Sequence, residues 1–132
     1  MAKLRALSVT VTTDASGDAV GTIAGVHGTP LDGYILSLIY TKDDFADGVD
    51  FDVVTTLGGL VAWDEDSVDA SKTIHPRLQV HTNDGVAAVL TSGSEPYLDR
   101  IPLCGEGIEW TVANGGDSKS GTLTLLYEEV GA

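Results

Sequence analysis

The sequence contains a single cysteine, Cys104, among 132 residues. A lone cysteine has no intramolecular disulfide partner, which excludes the small secreted domains that several disulfides hold together. No histidine or asparagine signature of a reactive cysteine accompanies it, so we expect Cys104 to be a buried or half-buried structural thiol. A chain of this kind is expected in a reducing compartment.

Long hydrophobic runs are also missing. The longest, Tyr34–Tyr40, is much shorter than the roughly 20 residues that a membrane-spanning helix needs. No apolar segment follows Lys3 and Arg5, and we therefore expect no secretion signal. Hydrophobic residues still make up 42% of the chain, which is enough for an ordinary core, so we predict one domain that covers residues 1–132.

Basic residues are scarce, since 7 lysines and arginines face 20 aspartates and glutamates, for a net charge of −13. The bases are scattered, whereas binding to phosphates needs them clustered, so we expect neither nucleic acid nor an anionic membrane as a partner. Nine of the acids lie between Lys42 and Lys72 with no base among them. This stretch is either a solvated face that resists aggregation or a surface for a cation or a basic partner.

The motifs that mark common enzyme classes do not occur: there is no Gly-x-Ser-x-Gly elbow, phosphate loop or dinucleotide fingerprint. The histidines His27, His75 and His81 would form a zinc site only if the fold gathered them; ordinary core or solvent-facing histidines are the alternative. Residues 43–52 lack the phasing and the closing glutamate of an EF-hand, which leaves a calcium site of another kind open. We predict a protein that is not an enzyme, with no catalytic residue, no metal ligand and no cofactor.

What the sequence does contain is apolar alternation with a period of two, the pattern of half-buried strands. Strands are predicted over residues 7–12, 18–24, 33–41, 51–56, 60–63, 73–81, 107–113 and 121–128. Pro76 is expected to place its strand at a sheet edge or in a bulge. Val86–Leu90 is either helix or strand, and Ser92–Asp99 is expected to be an exposed loop. Glycine-rich turns separate the strands, so the predicted fold is all-β: a single antiparallel β-sandwich, jelly-roll-like.

Two tryptophans, Trp63 and Trp110, alternate in phase with apolar neighbours and are therefore predicted to face the core. Tyr97, beside Pro96, is predicted to be exposed. If all three rings were exposed together, they would form a stacking platform for a sugar ring. A carbohydrate- or calcium-binding β-sandwich module is therefore the alternative function.

Several short segments carry a resemblance to a known family: Ser8–Asp18, Ile74–Arg77, Asp99–Leu103 with Gly105 and Glu106, Val112–Gly116, and Lys119–Thr122. In this order along most of the chain they resemble small virion proteins of tailed bacteriophages, and residues 43–69 depart most from that pattern. The resemblance implies a non-enzymatic structural protein of the decoration, cement or vertex type that binds the major capsid protein or other virion proteins. It also implies a location in the virion, after assembly in the host bacterial cytoplasm.

A protein of this class acts through its surface. Arg77 and Arg100 are predicted to anchor a loop or a subunit contact, because arginine pairs with carboxylates in a fixed geometry. Residues 1–5, with Lys3 and Arg5, are either an arm toward an acidic neighbour or a frayed end, and Tyr97 offers an exposed aromatic contact. Long loops outside the core favour a symmetric homo-oligomer, a trimer rather than a pentamer or a monomer.

Overall fold

The computed structural model describes residues 3–24, 30–89 and 95–130. Within these ranges the regular structure consists of β-strands, which confirms the predicted all-β class. The strands are β1 (Lys3–Thr12), β2 (Ala19–Ile23), β3 (Leu31–Lys42), β4 (Asp50–Thr55), β5 (Val61–Glu65), β6 (Lys72–Ile74), β7 (Leu78–Gln79), β8 (Leu98–Asp99), β9 (Ile101–Glu106), β10 (Ile108–Ala113) and β11 (Ser120–Glu129). The same ranges contain no helix with the length and apolar character that crossing a bilayer requires.

The strands pair in a nested order. β1 pairs with β11, β2 with β10, β3 with β9 and β4 with β5, and each of these pairs is antiparallel. The first sheet has the order β1-β11-β3, and both β9 and β6 pair with the other side of β3, β9 near its start and β6 near its end. The second sheet has the order β2-β10-β4-β5. The strands β1 to β4 thus alternate between the two sheets, as in a jelly roll, and the predicted jelly-roll-like sandwich is confirmed.

The core lies between the two sheets and follows the predicted alternation. On β10, for example, Ile108, Trp110 and Val112 face inward and are at most 1% exposed. The centre of the core is a group of aromatic rings with neighbouring centroids 4.6–6.3 Å apart: Tyr40, Phe45, Phe51, Trp63 and Trp110. Both tryptophans are therefore core residues, as predicted.

Two prolines lie at the β6–β9 edge of the first sheet. The predicted strand 73–81 is broken at residues 75–77 into β6 and β7, and β6 lies at the edge, as Pro76 indicates. The alternation does not predict β9, because Pro102 and Gly105 are typical of loops. An edge strand tolerates both residues, since only one side of its backbone must pair with a neighbouring strand.

Lys3 and Arg5 are not part of a free arm, which corrects the expectation for residues 3–5. They are the first residues of β1, where Lys3 lies opposite Glu129 and Arg5 opposite Tyr127 on β11. Arg5 also donates a hydrogen bond from Nε to Oε2 of Glu129 at 2.9 Å. The pairing with β11 extends the strand beyond the apolar alternation, which begins only at Leu7.

Cys104 is exposed, so the expectation of a buried thiol is wrong. Its neighbours on β9, Ile101 and Leu103, face the core and are 0% and 2% exposed. Because successive side chains of a strand point to opposite faces, Cys104 lies on the outer face of the sheet. The thiol therefore does not contribute to the core.

Candidate functional site

The framework carries one long excursion, residues 75–100 between β6 and β9, which we call the insertion; the structure describes it over residues 75–89 and 95–100. Both β6 and β9 pair with β3, so the insertion leaves the first sheet and returns to it at neighbouring points of one strand. Inside the insertion, β7 pairs with β8 in antiparallel register. It therefore forms a small β-structure of its own on the edge of the jelly roll.

Backbone hydrogen bonds hold the parts of the insertion together. The N–H of Val80 donates to the carbonyl of Tyr97 at 2.9 Å, the N–H of Ala88 donates to Val80 at 2.8 Å, and the N–H of Tyr97 donates to Ala88 at 3.1 Å. Residues 86–89 thus form neither a helix nor a full strand. They bridge the segment at residues 80–81 and the segment at residues 96–97. Leu90 and residues 92–94 lie outside the described ranges. These three hydrogen bonds join residues 80, 88 and 97 to one another and restrain the described part of the insertion.

The described part of the insertion presents several large apolar side chains to solvent, next to polar and charged ones. Val86 is 63% exposed, Val89 42%, Tyr97 48% and Leu98 57%, so the prediction of an exposed Tyr97 is confirmed. Leu78, by contrast, packs against the core from the base of the insertion. Clustered exposed apolar groups are typical of surfaces that bind other macromolecules.

The two arginines predicted as anchors lie at the two ends of the insertion. At its start, Arg77 donates from Nη1 to the carbonyl of Pro76 at 2.7 Å and to that of Leu36 on β3 at 3.3 Å. At its end, Arg100 donates from Nη1 to Oε2 of Glu128 on β11 at 2.8 Å. The contacts with Leu36 and Glu128 connect the insertion to the first sheet.

Arg100 has a second contact, with an aromatic face. Its guanidinium carbon lies 4.1 Å from the ring centroid of Tyr34, close enough for a cation–π interaction. Tyr34 and Glu128 face each other across β3 and β11, so one guanidinium bridges two strands of the framework. Tyr97, Arg77 and Arg100 thus share the insertion, whereas Lys3 and Arg5 lie on β1 at the opposite edge of the same sheet.

Carboxylates of the acidic stretch 43–69 accept hydrogen bonds in the loops around β4 and β5. Oδ1 of Asp44 accepts the N–H of Ser120 at 2.6 Å, and Oδ1 of Asp69 accepts the N–H of Gly48 at 2.7 Å. Asp50 accepts from the N–H of Ser67 and, through Oδ2, from the side-chain amide of Asn114. These carboxylates satisfy backbone donors that the strands leave unpaired.

The histidines are not brought together in the described structure. Nδ1 of His75 lies 2.7 Å from Oγ of Ser37. His75 lies in the strand break at residues 75–77, so the single strand expected to carry both His75 and His81 does not form. His27 lies outside the described residues. Within the described ranges, no group of three or more His, Cys, Asp or Glu side chains is arranged to hold a metal ion.

Glu106 has a structural role that the sequence did not reveal. It is only 8% exposed, and Oε1 accepts the N–H groups of Leu57 at 2.9 Å and Gly58 at 3.1 Å, while Oε2 accepts that of Cys104 at 3.0 Å. Burial raises the pKa of Glu106, but hydrogen bonds, chiefly those from the backbone of Cys104, Gly58 and Leu57, outweigh it, and the net pKa lies below the ordinary value. The carboxylate thus fastens the β4–β5 turn to β9.

The sugar-stacking platform considered from the sequence does not form, because Trp63 is 5% and Trp110 0% exposed. Tyr97 is the only one of the three rings at the surface. A scan against protein-family models and a search of the curated proteins each found no match to this chain. Four of the nine large hydrophobic side chains that are exposed among the described residues lie on the insertion, which makes it a candidate contact surface.

Proposed function

We propose that this protein is a non-enzymatic structural protein of a tailed-bacteriophage virion. In this proposal it decorates or cements the capsid by binding the major capsid protein, or another virion protein, through the insertion. The observation that carries the proposal is the set of exposed apolar side chains on the insertion, above all Tyr97 and Leu98. The resemblance of the sequence to small virion proteins of tailed bacteriophages supports the choice of partner.

The chemistry of the insertion describes the surface that it would contact. Its apolar side chains are accompanied by the exposed acids Asp84, Glu95 and Asp99. A complementary partner has an apolar patch with basic residues around it, because opposite charges at the rim steer association. Complete burial of one leucine-sized side chain contributes about 1.5–3 kcal/mol, so a few such contacts suffice for binding once ordering costs are met.

The anchoring of the insertion lowers those ordering costs. Arg77 and Arg100 connect its two ends to the first sheet, and backbone hydrogen bonds cross its middle. A loop that is held in shape before binding loses less conformational freedom when the partner arrives. A jelly roll with one restrained insertion is therefore well suited to attach to another protein through a small area.

Repetition strengthens such an attachment. A capsid presents the same binding position many times, and linked subunits of a homo-oligomer bind neighbouring positions with an effective concentration on the order of millimolar. We therefore propose that the protein acts in the virion as a homo-oligomer.

The test uses particles assembled from the major capsid protein encoded in the same genome, with co-sedimentation as the measurement. Leu98→Asp should weaken binding about 10- to 100-fold, because a charge replaces a leucine that the proposed complex buries. Leu57→Asp is the matched control, since Leu57 is 75% exposed on the β4–β5 turn and lies outside the insertion. Failure of the unchanged protein to bind particles, or equal binding by both variants, would overturn the proposal.

A further inference from the structure

The outer edge of β1 is the longest strand edge without a hydrogen-bonded partner in the described part of the chain. β1 has 10 residues, and β11 is its only strand partner there. Its residues 6–12 contain no charge, no proline and no glycine, and β-branched residues are frequent among them. Such a segment pairs readily with another strand, because its unpaired N–H and C=O groups form a regular row.

The remaining edge strands carry features that oppose pairing. β9 contains Pro102 and Gly105, and the insertion separates it from β6, which has only 3 residues. β5 ends in Asp64 and Glu65, and β2 is a strand of 5 residues interrupted by Gly21. Charges, proline, glycine and short length are the usual protections of a sheet edge, and β1 lacks them over most of its length.

The charge distribution along β1 indicates which strand would pair with it. Lys3 and Arg5 lie at its start, while Asp14 and Asp18 lie in the turn that follows its end. Two copies of β1 aligned antiparallel bring the basic start of each against the acidic turn of the other, whereas a parallel alignment brings like charges together. Among the described residues, Lys3 forms no ion pair within its own chain.

We propose that a second copy of this chain binds along the β1 edge, antiparallel, with the twofold axis at Ser8. In this register Leu7 faces Val9 of the second copy on the core side, and Ala6 faces Thr10 on the outer side. Leu7 and Val9 are only partly buried in one copy, so the second copy covers apolar surface as well as backbone groups.

A twofold contact uses the same surface on both copies and closes after two of them. The first sheets of both copies then join into one continuous sheet, and the assembly is a dimer rather than the trimer expected from the sequence. This inference does not rest on the capsid-binding proposal, because it concerns the opposite edge of the sheet from the insertion.

The test combines light scattering with cysteine cross-linking in a Cys104→Ser background, which removes the exposed native thiol. Ser8→Cys places two thiols at the axis, with Cβ atoms about 4.5–5.5 Å apart. Thr12→Cys is the matched control, because Ser8 and Thr12 each bond a hydroxyl of β11, at 2.7 Å and 3.0 Å. In the proposed register its two thiols are about 26 Å apart, at 3.3 Å per residue.

We expect a mass of two 13.7 kDa chains and a disulfide-linked dimer from Ser8→Cys, but not from Thr12→Cys. A monomer at every concentration, a trimer, or equal cross-linking of the two variants would overturn the inference. The measurement needs only the purified chain, so its failure leaves the capsid-binding result unaffected.

A second variant examines the charges. Lys3→Glu should raise the dissociation constant of the dimer roughly 2- to 30-fold, the range for losing two exposed ion pairs, and should reduce its dependence on salt. An unchanged dissociation constant at low salt would contradict the proposed alignment.

Discussion

The carboxylate of Glu106 connects two distant parts of the jelly roll, and its replacement by glutamine isolates what the charge contributes. Glutamine has nearly the same shape and keeps one acceptor oxygen. If that oxygen serves Leu57 and Gly58, the new NH2 group faces the N–H of Cys104, donor against donor. Glu106→Gln therefore loses one charge-assisted hydrogen bond and weakens the other two.

The magnitude follows from the kinds of bond involved. A hydrogen bond to a charged group contributes about 1.5–3 kcal/mol and a neutral one about 0.5–1.5 kcal/mol, so losing one charged bond and weakening two to neutral ones costs about 3.5–6 kcal/mol. At about 3–5 °C per kcal/mol for a domain of this size, the melting temperature should fall by about 10–30 °C. Glu109→Gln is the matched control, because Glu109 is exposed on β10, and it should change stability by less than about 0.5 kcal/mol.

The pH dependence gives an independent check. The pKa of Glu106 is lower in the folded protein than its ordinary value of 4.5, so the folded state binds the proton less tightly than the unfolded state. The stabilisation is therefore complete above pH 4.5 and is lost as the pH falls through the folded pKa. Thermal unfolding of both proteins between pH 7 and pH 3 should show the difference shrinking in acid. A loss below about 1 kcal/mol at pH 7, or a difference independent of pH, would refute this account of Glu106.

Three further changes test other parts of the structure. Burial raises the pKa of Tyr40 to about 12, and its hydroxyl has no hydrogen-bond partner among the described residues. Tyr40→Phe should therefore leave stability unchanged or raise it by about 1 kcal/mol. A clear decrease of the unfolding free energy in denaturant would show that the hydroxyl has a partner. Arg100→Lys should lower stability by about 0.5–1.5 kcal/mol, because the guanidinium contacts with the carboxylate of Glu128 and with the ring of Tyr34 are both lost. An unfolding free energy equal to that of the unchanged protein would contradict the anchoring role of Arg100. Gly121→Ala should cost about 1–3 kcal/mol, because the added methyl overlaps the ring of Phe45, whereas Gly58→Ala meets only ordinary contacts; equal effects of the two would argue against this packing.

Much of the fold was predictable because strand periodicity is a local property. The alternation on β10 and β11 gave both strands within one or two residues, and it placed Trp110 in the core. Pro76 correctly indicated an edge, since the missing N–H excludes a central position. The prediction failed at β9, where Pro102 and Gly105 hide the alternation, and at Cys104, whose exposure depends on which side of that unpredicted strand it occupies.

The candidate site was predictable only in part. The sequence drew attention to Arg77, Arg100 and Tyr97, and the structure places all three in one insertion. It gave no indication that Lys3 and Arg5 continue β1, because their charges interrupt the apolar pattern and only the partner strand β11 keeps them extended.

By itself, the sequence determined most of the longer strands and their inward-facing residues, because backbone geometry turns every second side chain to the same face. The tertiary structure decided which strands pair, and this pairing produces the contacts of Glu106, the contact of Arg100 and the open edge of β1. Glu106 accepts hydrogen bonds from donors 48 and 49 positions away, Arg100 reaches Glu128 on the far side of β3, and β1 is an open edge because no described strand pairs with its outer side. Contacts between segments so far apart depend on how two sheets close over one core, which no local pattern in the chain records.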